Sequence, residues 1–296
     1  MKMAFISQAI VAAGIILSSC TVTIYSTKTY PPEMDLPLPQ TTMVFGNFFD
    51  YTAPGYIKDK QEVTYASAVR GFISGLDSVF SDDPAVKLIT GDTLARNYTV
   101  LSMQDTSFRD TVRTVCSRFD ADMLMALDSM DIWFDWETIN NEDEDLLKIN
   151  KFYLFSDYYL TLYTSDGEVI DRSQVQKGMV YSTRPALIGA IAISPSLARA
   201  ATKTGDLAQA AGEEYAGKFY PSDERLRYML YSGRPFIRSN DYIINGDPVM
   251  ALEPLRVLTG SPKKKIANKA AHNLSVVYEI MENRRNTDEI NKNFRR

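Results

Sequence analysis

The run KFYLFSDYYLTLYTSDGEVIDRSQV, residues 151–175, constrains the fold more than any other part of the chain. Aromatic and β-branched residues, which suit a pleated surface, stand on both sides of Asp166-Gly167. The glycine of such a pair accepts the positive φ that a tight hairpin turn needs. The spacing predicts residues 158–163 paired with residues 168–175. A two-stranded hairpin is at best marginally stable in water, so the chain must supply more strands around it.

Upstream it does. TTMVFGNFF, residues 41–49, is β-rich and bounded by the turn-like DYTAPG, which predicts a buried first strand. In TYASAVRGFISGLDSVF, Ala68, Phe72, Leu76 and Val79 recur at helical spacing. DDPAVKLIT then supplies a breaker and a short second strand. Ser107 reads as the N-cap of a second helix, with Val112, Val115, Cys116 and Phe119 along one face. The period changes after that. ADMLMALDSM reads as a buried strand, and DIWFDWE alternates Ile132, Phe134 and Trp136 against Asp131, Trp133, Asp135 and Glu137. The order strand, helix, strand, helix, strand, strand, strand predicts an α/β or α+β domain, a mixed sheet with two helices, over residues 41–183.

From residue 184 the β signals give way to alanine-rich sequence, and residues 184–296 read as an all-α region of helical hairpins. A first helix carries Ala251, Leu255 and Leu258; a turn at TGSPKK follows; a second helix carries Ala267, Ala270, Leu274 and Tyr278. The second resembles a tetratricopeptide-repeat helix at Ala270, Asn273, Leu274, Tyr278 and Glu279, where small residues permit close helix approach. A plain helical hairpin packed on its neighbours would carry the same apolar pattern. By the repeat reading, Asn273 and Tyr278 are partner-binding candidates, joined by Lys263 and Lys264 at the turn, which could touch an acidic partner or a headgroup.

At the other end, Met1-Lys2 and a largely apolar segment to Leu17 are too short for a spanning helix, which needs about 20 apolar residues. They read as a signal peptide, residues 1–19. Leu17-Ser18-Ser19-Cys20 resembles the bacterial lipobox, which implies that Cys20 is acylated and becomes the mature N-terminus. The alternative is an ordinary secretory signal with an incidental cysteine. Two or three acyl chains hold a protein stably on a membrane where one is marginal. Residues 20–40, polar and then rich in proline (Pro31, Pro32, Pro37, Pro39), read as an extended lipidated tether. Thr21 after the cysteine, in place of an aspartate, favours the periplasmic face of the outer membrane.

The strand TTMVFGNFFD, the helix-to-strand run RFDADMLMAL and the hairpin YLTLYTSDGEVI resemble the small α/β domains of envelope lipoproteins related to the N-terminal part of TolB, the curli-secretion lipoprotein and the penicillin-binding-protein activators. Together with the lipobox and the helical C-terminal region, they resemble uncharacterised lipoproteins of Bacteroidetes-type bacteria. That resemblance implies location and architecture, and no activity.

The chemistry-bearing residues are sparse. A net charge of -5 argues against nucleic-acid binding. Two cysteines, one of them Cys20, leave the mature chain no internal disulfide, and with a single histidine they offer no ordinary zinc site. Asp131, Asp135, Glu137 and residues 142–145 are acidic but match no EF-hand spacing. No G-x-S-x-G elbow accompanies His272, and TGSPKKK is not a phosphate loop. No catalytic residue, cofactor or metal is expected. The expected role is a non-enzymatic, membrane-anchored envelope lipoprotein acting as a protein-interaction or assembly module, its partners being membrane lipid through Cys20 and an envelope protein. The alternative is a carbohydrate- or peptidoglycan-binding module on the aromatic strands at residues 153–163.

Overall fold

The computed structural model describes residues 21–36, 40–49, 61–90, 106–140, 148–185 and 195–294. Cys20, the rest of the signal segment and the acidic run 142–145 lie outside them. In chain order the elements are β1 (Thr21–Tyr30), β2 (Thr41–Asn47), α1 (Glu62–Phe80), β3 (Val86–Thr90), α2 (Thr106–Phe119), β4 (Met123–Asn140), β5 (Lys148–Thr164), β6 (Val169–Pro185), α3 (Ala201–Gly217), β7 (Ser222–Tyr231), α4 (Ile237–Ile244), α5 (Pro248–Thr259) and α6 (Lys264–Phe294). They form two compact units: residues 34–219, and a second made of the described residues before 34 together with those from 220 onward.

The larger unit holds a five-stranded mixed sheet in the order β3-β2-β4-β5-β6. β2 runs parallel to β3 and β4, while β4, β5 and β6 form an antiparallel meander. The expected hairpin is present in the expected register, Tyr158 opposite Val175 and Tyr163 opposite Val169. Gly167 sits at φ 81° in its turn, where a side chain would strain the backbone. The two strands expected from ADMLMALDSM and DIWFDWE are one, β4, with a bulge between Leu127 and Ser129. The helix expected from Ser107 begins one residue earlier, so Ser107 lies inside α2.

Strand alternation divides the core between the two faces of this sheet. On one face Val44, Leu124, Ala126 and Tyr163 pack with Phe108, Val112, Val115 and Cys116 of α2. On the other, Phe45 and Tyr158 lie 5.9 and 5.2 Å from Phe72 of α1, and Phe72 lies 6.5 Å from Tyr215 of α3. Asp122 joins helix and sheet: its carboxylate accepts the Thr42 N–H at 2.8 Å and its own N–H donates to the Thr42 carbonyl at 2.9 Å.

α3 corrects the expected boundary at residue 184. It belongs to the α/β unit, as a third helix alongside α1, because both helices bare their backbones at the contact. A Cβ on Gly75 would stand 2.0 Å from the Gln209 carbonyl oxygen, and one on Gly212 2.2 Å from that of Phe72. Only glycine permits backbones to approach so closely.

The smaller unit corrects two further expectations. Thr21–Tyr30 is not a tether but a strand, paired antiparallel with β7 over ten rungs from Thr21–Tyr231 to Tyr30–Ser222. Prolines enter only at Pro31, after the strand has ended. The region after residue 184 is not all-α, since β7 lies within it. Against this ribbon pack α4, α5 and α6, with Ile24, Leu230, Phe236, Ala251, Leu255, Ala270 and Val277 in one cluster.

Candidate functional site

β2 pairs with β4 only as far as Leu127. Beyond that point β4 continues to Asn140 with β5 on one side and, among the described residues, no strand on the other. The outer edge of β6 is likewise unpaired by any described strand. Among the described residues, the meander therefore outruns the short parallel strands as a three-stranded ribbon with no strand paired along either outer edge, which is where strand addition acts.

Paired residues share a face. On the α2 side of the sheet the ribbon presents Trp133 opposite Phe155 and Asp135 opposite Tyr153. Trp133 and Phe155 lie 5.5 Å apart with their planes 21° apart, and Phe155 and Tyr153 6.1 Å apart at 27°. Gly178 stands opposite Phe155, and a Cβ there would come within 2.5 Å of its ring, so the ring covers bare backbone. The Tyr153 hydroxyl donates to Glu137, which raises its pKa above the usual phenol value, and the Lys151 ammonium lies 5.5 Å from the Tyr153 ring centre. Asp131, Asp135 and Glu137 are exposed around this row of rings. Trp136 faces the opposite side, opposite Phe152, and is 51% exposed. The aromatic row and the carboxylates thus share one surface as the alternation of DIWFDWE predicts.

At the bulge, Asp128 turns its carboxyl into a largely buried setting, where burial pushes its pKa up to about 6. The Thr161 hydroxyl, donating at 2.5 Å, and the positive charge of Arg172 act in the opposite direction. A second carboxylate on the ribbon, Asp157, is buried and accepts from the Gln174 amide at 2.9 Å. Among the described residues, no three His, Cys, Asp or Glu side chains converge to hold a metal ion.

The residues proposed from the repeat pattern separate. Asn273 is fully buried and is not available to a partner. Its amide oxygen accepts the Tyr231 N–H and its amide nitrogen donates to the Tyr231 carbonyl, both at 2.8 Å. His272 donates from Nε2 to the Met229 carbonyl at 2.9 Å, and its ring packs edge-on to Tyr231. Both therefore cap the free edge of β7. Tyr278 is 44% exposed and its hydroxyl accepts from Arg256 at 2.9 Å. Lys263 and Lys264 are exposed where α5 turns into α6, the Lys263 carbonyl accepting from Ile266 and Ala267. The β1–β7 ribbon carries a signal that proline content obscures: TVTIYSTKTY and SDERLRYMLY both alternate, with Ile24 and Leu230 buried.

No family model matches the chain, and no curated protein matches it. Several solved structures match parts of its course, two of them as follows. One is described as a neuraminyllactose-binding hemagglutinin homolog from Helicobacter pylori, at 9% identity and a TM-score of 0.31, covering 64% of this chain and 89% of its own. The other is the PelC dodecamer from Paraburkholderia phytofirmans, at 10% identity and a TM-score of 0.22, covering 64% and 98%. At these scores neither carries an argument about function. Among the described residues, no helix is long and apolar enough to cross a membrane.

Proposed function

We propose that this chain is a non-enzymatic cell-envelope lipoprotein, held through an acylated Cys20 on the periplasmic face of the outer membrane, and that it works as a protein-interaction module. The observation that carries the interaction reading is the open-edged β4–β5–β6 ribbon. A polypeptide can complete such an edge with main-chain hydrogen bonds while its side chains meet the aromatic face, whereas a glycan cannot. The element order of the α/β unit supports the likeness to TolB-type N-terminal domains. The buried Ala251 and Ala270 of the α5–α6 hairpin support the tetratricopeptide-like reading.

A second reading, a carbohydrate- or peptidoglycan-contacting module, is favoured by the row of Trp133, Phe155 and Tyr153 flanked by carboxylates. Photo-crosslinking from Thr138 on the ribbon in intact membranes separates the two. A stoichiometric protein adduct is expected; sacculus or glycan-array binding without an adduct overturns the protein-partner reading in favour of the second. The anchor is tested separately by Triton X-114 partitioning, with wild type in the detergent phase and Cys20→Ala in the aqueous phase. Equal aqueous partitioning of both would exclude lipidation.

A further inference from the structure

The β1–β7 ribbon begins at Thr21, the residue bonded to Cys20. Consecutive Cα atoms are about 3.8 Å apart, so a lipid on Cys20 enters the folded unit with no intervening linker. Only a surface close to that point can meet the membrane, and the outer face of the ribbon starts there. Its first four outward rungs are Thr21–Tyr231, Thr23–Met229, Tyr25–Arg227 and Thr27–Arg225. They contain two arginines and no carboxylate.

Tyr25 and Met229 are each 55% exposed on this face. The Arg225 guanidinium lies 4.1 Å from the Tyr25 ring centre, and the Lys269 ammonium 4.8 Å from that of Tyr231. Basic side chains resting on amphipathic aromatic rings, with a flexible methionine among them, match a phospholipid headgroup layer, where tyrosine sits at the boundary and cations meet phosphate. The acidic residues of β7, Asp223 and Glu224, lie at the far end of the ladder, hydrogen-bonded to Thr29 and Tyr30. On this face the two rungs nearest the lipid attachment point are uncharged, the arginines stand on the fifth and seventh rungs of the ladder, and the carboxylates lie beyond them on the eighth and ninth.

We propose that the outer face of the β1–β7 ribbon, carrying Tyr25, Arg225, Arg227 and Met229, lies flat on an anionic phospholipid surface as a second membrane contact beside the lipid. This rests on the lipoprotein reading of Cys20, and the test keeps the two apart. Intact mass of the protein extracted from its native membranes reports lipid on Cys20. Independently, the full mature chain carrying Cys20→Ser, which has no lipid, is cosedimented with vesicles containing phosphatidylglycerol and with neutral phosphatidylcholine vesicles.

Binding to the anionic vesicles alone is expected. Each arginine near such a surface contributes about a fivefold factor, so Arg225→Ala with Arg227→Ala should weaken binding by about 25-fold. Arg225→Lys with Arg227→Lys should retain it. In the lipidated protein on the same vesicles, brominated lipid should quench the fluorescence of Met229→Trp and not that of Val257→Trp on α5. No binding of the unlipidated chain to anionic vesicles together with no quenching at position 229, or unchanged binding of the double alanine variant, overturns the proposal even where Cys20 is lipidated. Anionic-specific binding through this face with no lipid on Cys20 would keep the docking surface and discard the anchor.

Discussion

Asn273 holds Tyr231 by both of its backbone polar groups, oxygen to N–H and nitrogen to C=O, at 2.8 Å each. A side-chain amide has the same donor–acceptor pair as a peptide, so α6 supplies at this point what a third strand would. Asn240 adds a donor to the same carbonyl at 3.0 Å. A buried backbone group left without a partner costs about 1–3 kcal/mol. Asn273→Ala is therefore expected to destabilise the smaller unit by about 2–3 kcal/mol, read as a lower urea midpoint and faster amide exchange in β7. Asn273→Asp keeps the acceptor, loses the donor, and should recover part of the loss at low pH, where a protonated carboxyl donates again. Unchanged stability of the alanine variant would sink this account of the clamp.

The same asparagine shows where sequence reading stops. A polar residue on an otherwise apolar helix suggests a docking surface, and nothing in NKAAHNL announces that a strand more than forty residues earlier ends against it. Local patterns were legible: the hairpin at Asp166-Gly167, the α1 stripe and the alternation that sets Trp133 beside Asp135 and Glu137. Pairing between distant segments was not, because alternation shows that Thr21–Tyr30 can be a strand but not that β7 accepts it. The four prolines that follow β1 suggest a tether, although none lies inside the strand. The position of α3 is illegible for a related reason, since its alanines and glycines acquire meaning only opposite Gly71 and Gly75 of α1.

That helix contact makes its own prediction. A Cβ at position 75 would meet backbone rather than a movable side-chain tip, so the helices must separate. Gly75→Ala should cost about 1–3 kcal/mol or more, as overpacking does. Gly217→Ala, at the end of α3 with nothing within 4 Å, should change stability by less than about 0.5 kcal/mol. Thermal unfolding of the two variants side by side checks this; equal effects would show that the close approach is not what fixes the α1–α3 pair.

Cys116 is buried under α2, and burial, with the negative charge of Asp122 adding to it, pushes its thiol up to about 11. Thiolate is the reactive form, so the native thiol should be inert near neutral pH. Labelling with a thiol-reactive chromophore is expected to run at least about 1000-fold slower in buffer than in denaturant, since modification must wait for opening. Fast stoichiometric labelling of the native mature chain would place this cysteine nearer solvent than the α2 core allows.

Asp128 gives the chain a pH dependence whose sign is fixed by its surroundings. Burial holds its folded pKa at about 6, above the ordinary 3.8, against the opposing Thr161 hydrogen bond and Arg172 charge. Between those values the native state binds more protons than the unfolded state, so this group makes stability fall as pH rises from about 4 to about 6 and leaves it low above that. A shift of this size corresponds to a penalty on the order of 3 kcal/mol at pH 7. Asp128→Asn keeps an acceptor for Thr161 and carries no charge. It should be more stable than wild type at pH 7, indistinguishable from it near pH 4, and flatter between. Urea unfolding at pH 4, 5, 6 and 7 provides the comparison. A variant with the wild-type slope would mean that the Asp128 carboxylate is solvated at the bulge and that the buried charge is not what sets the acid side of the profile.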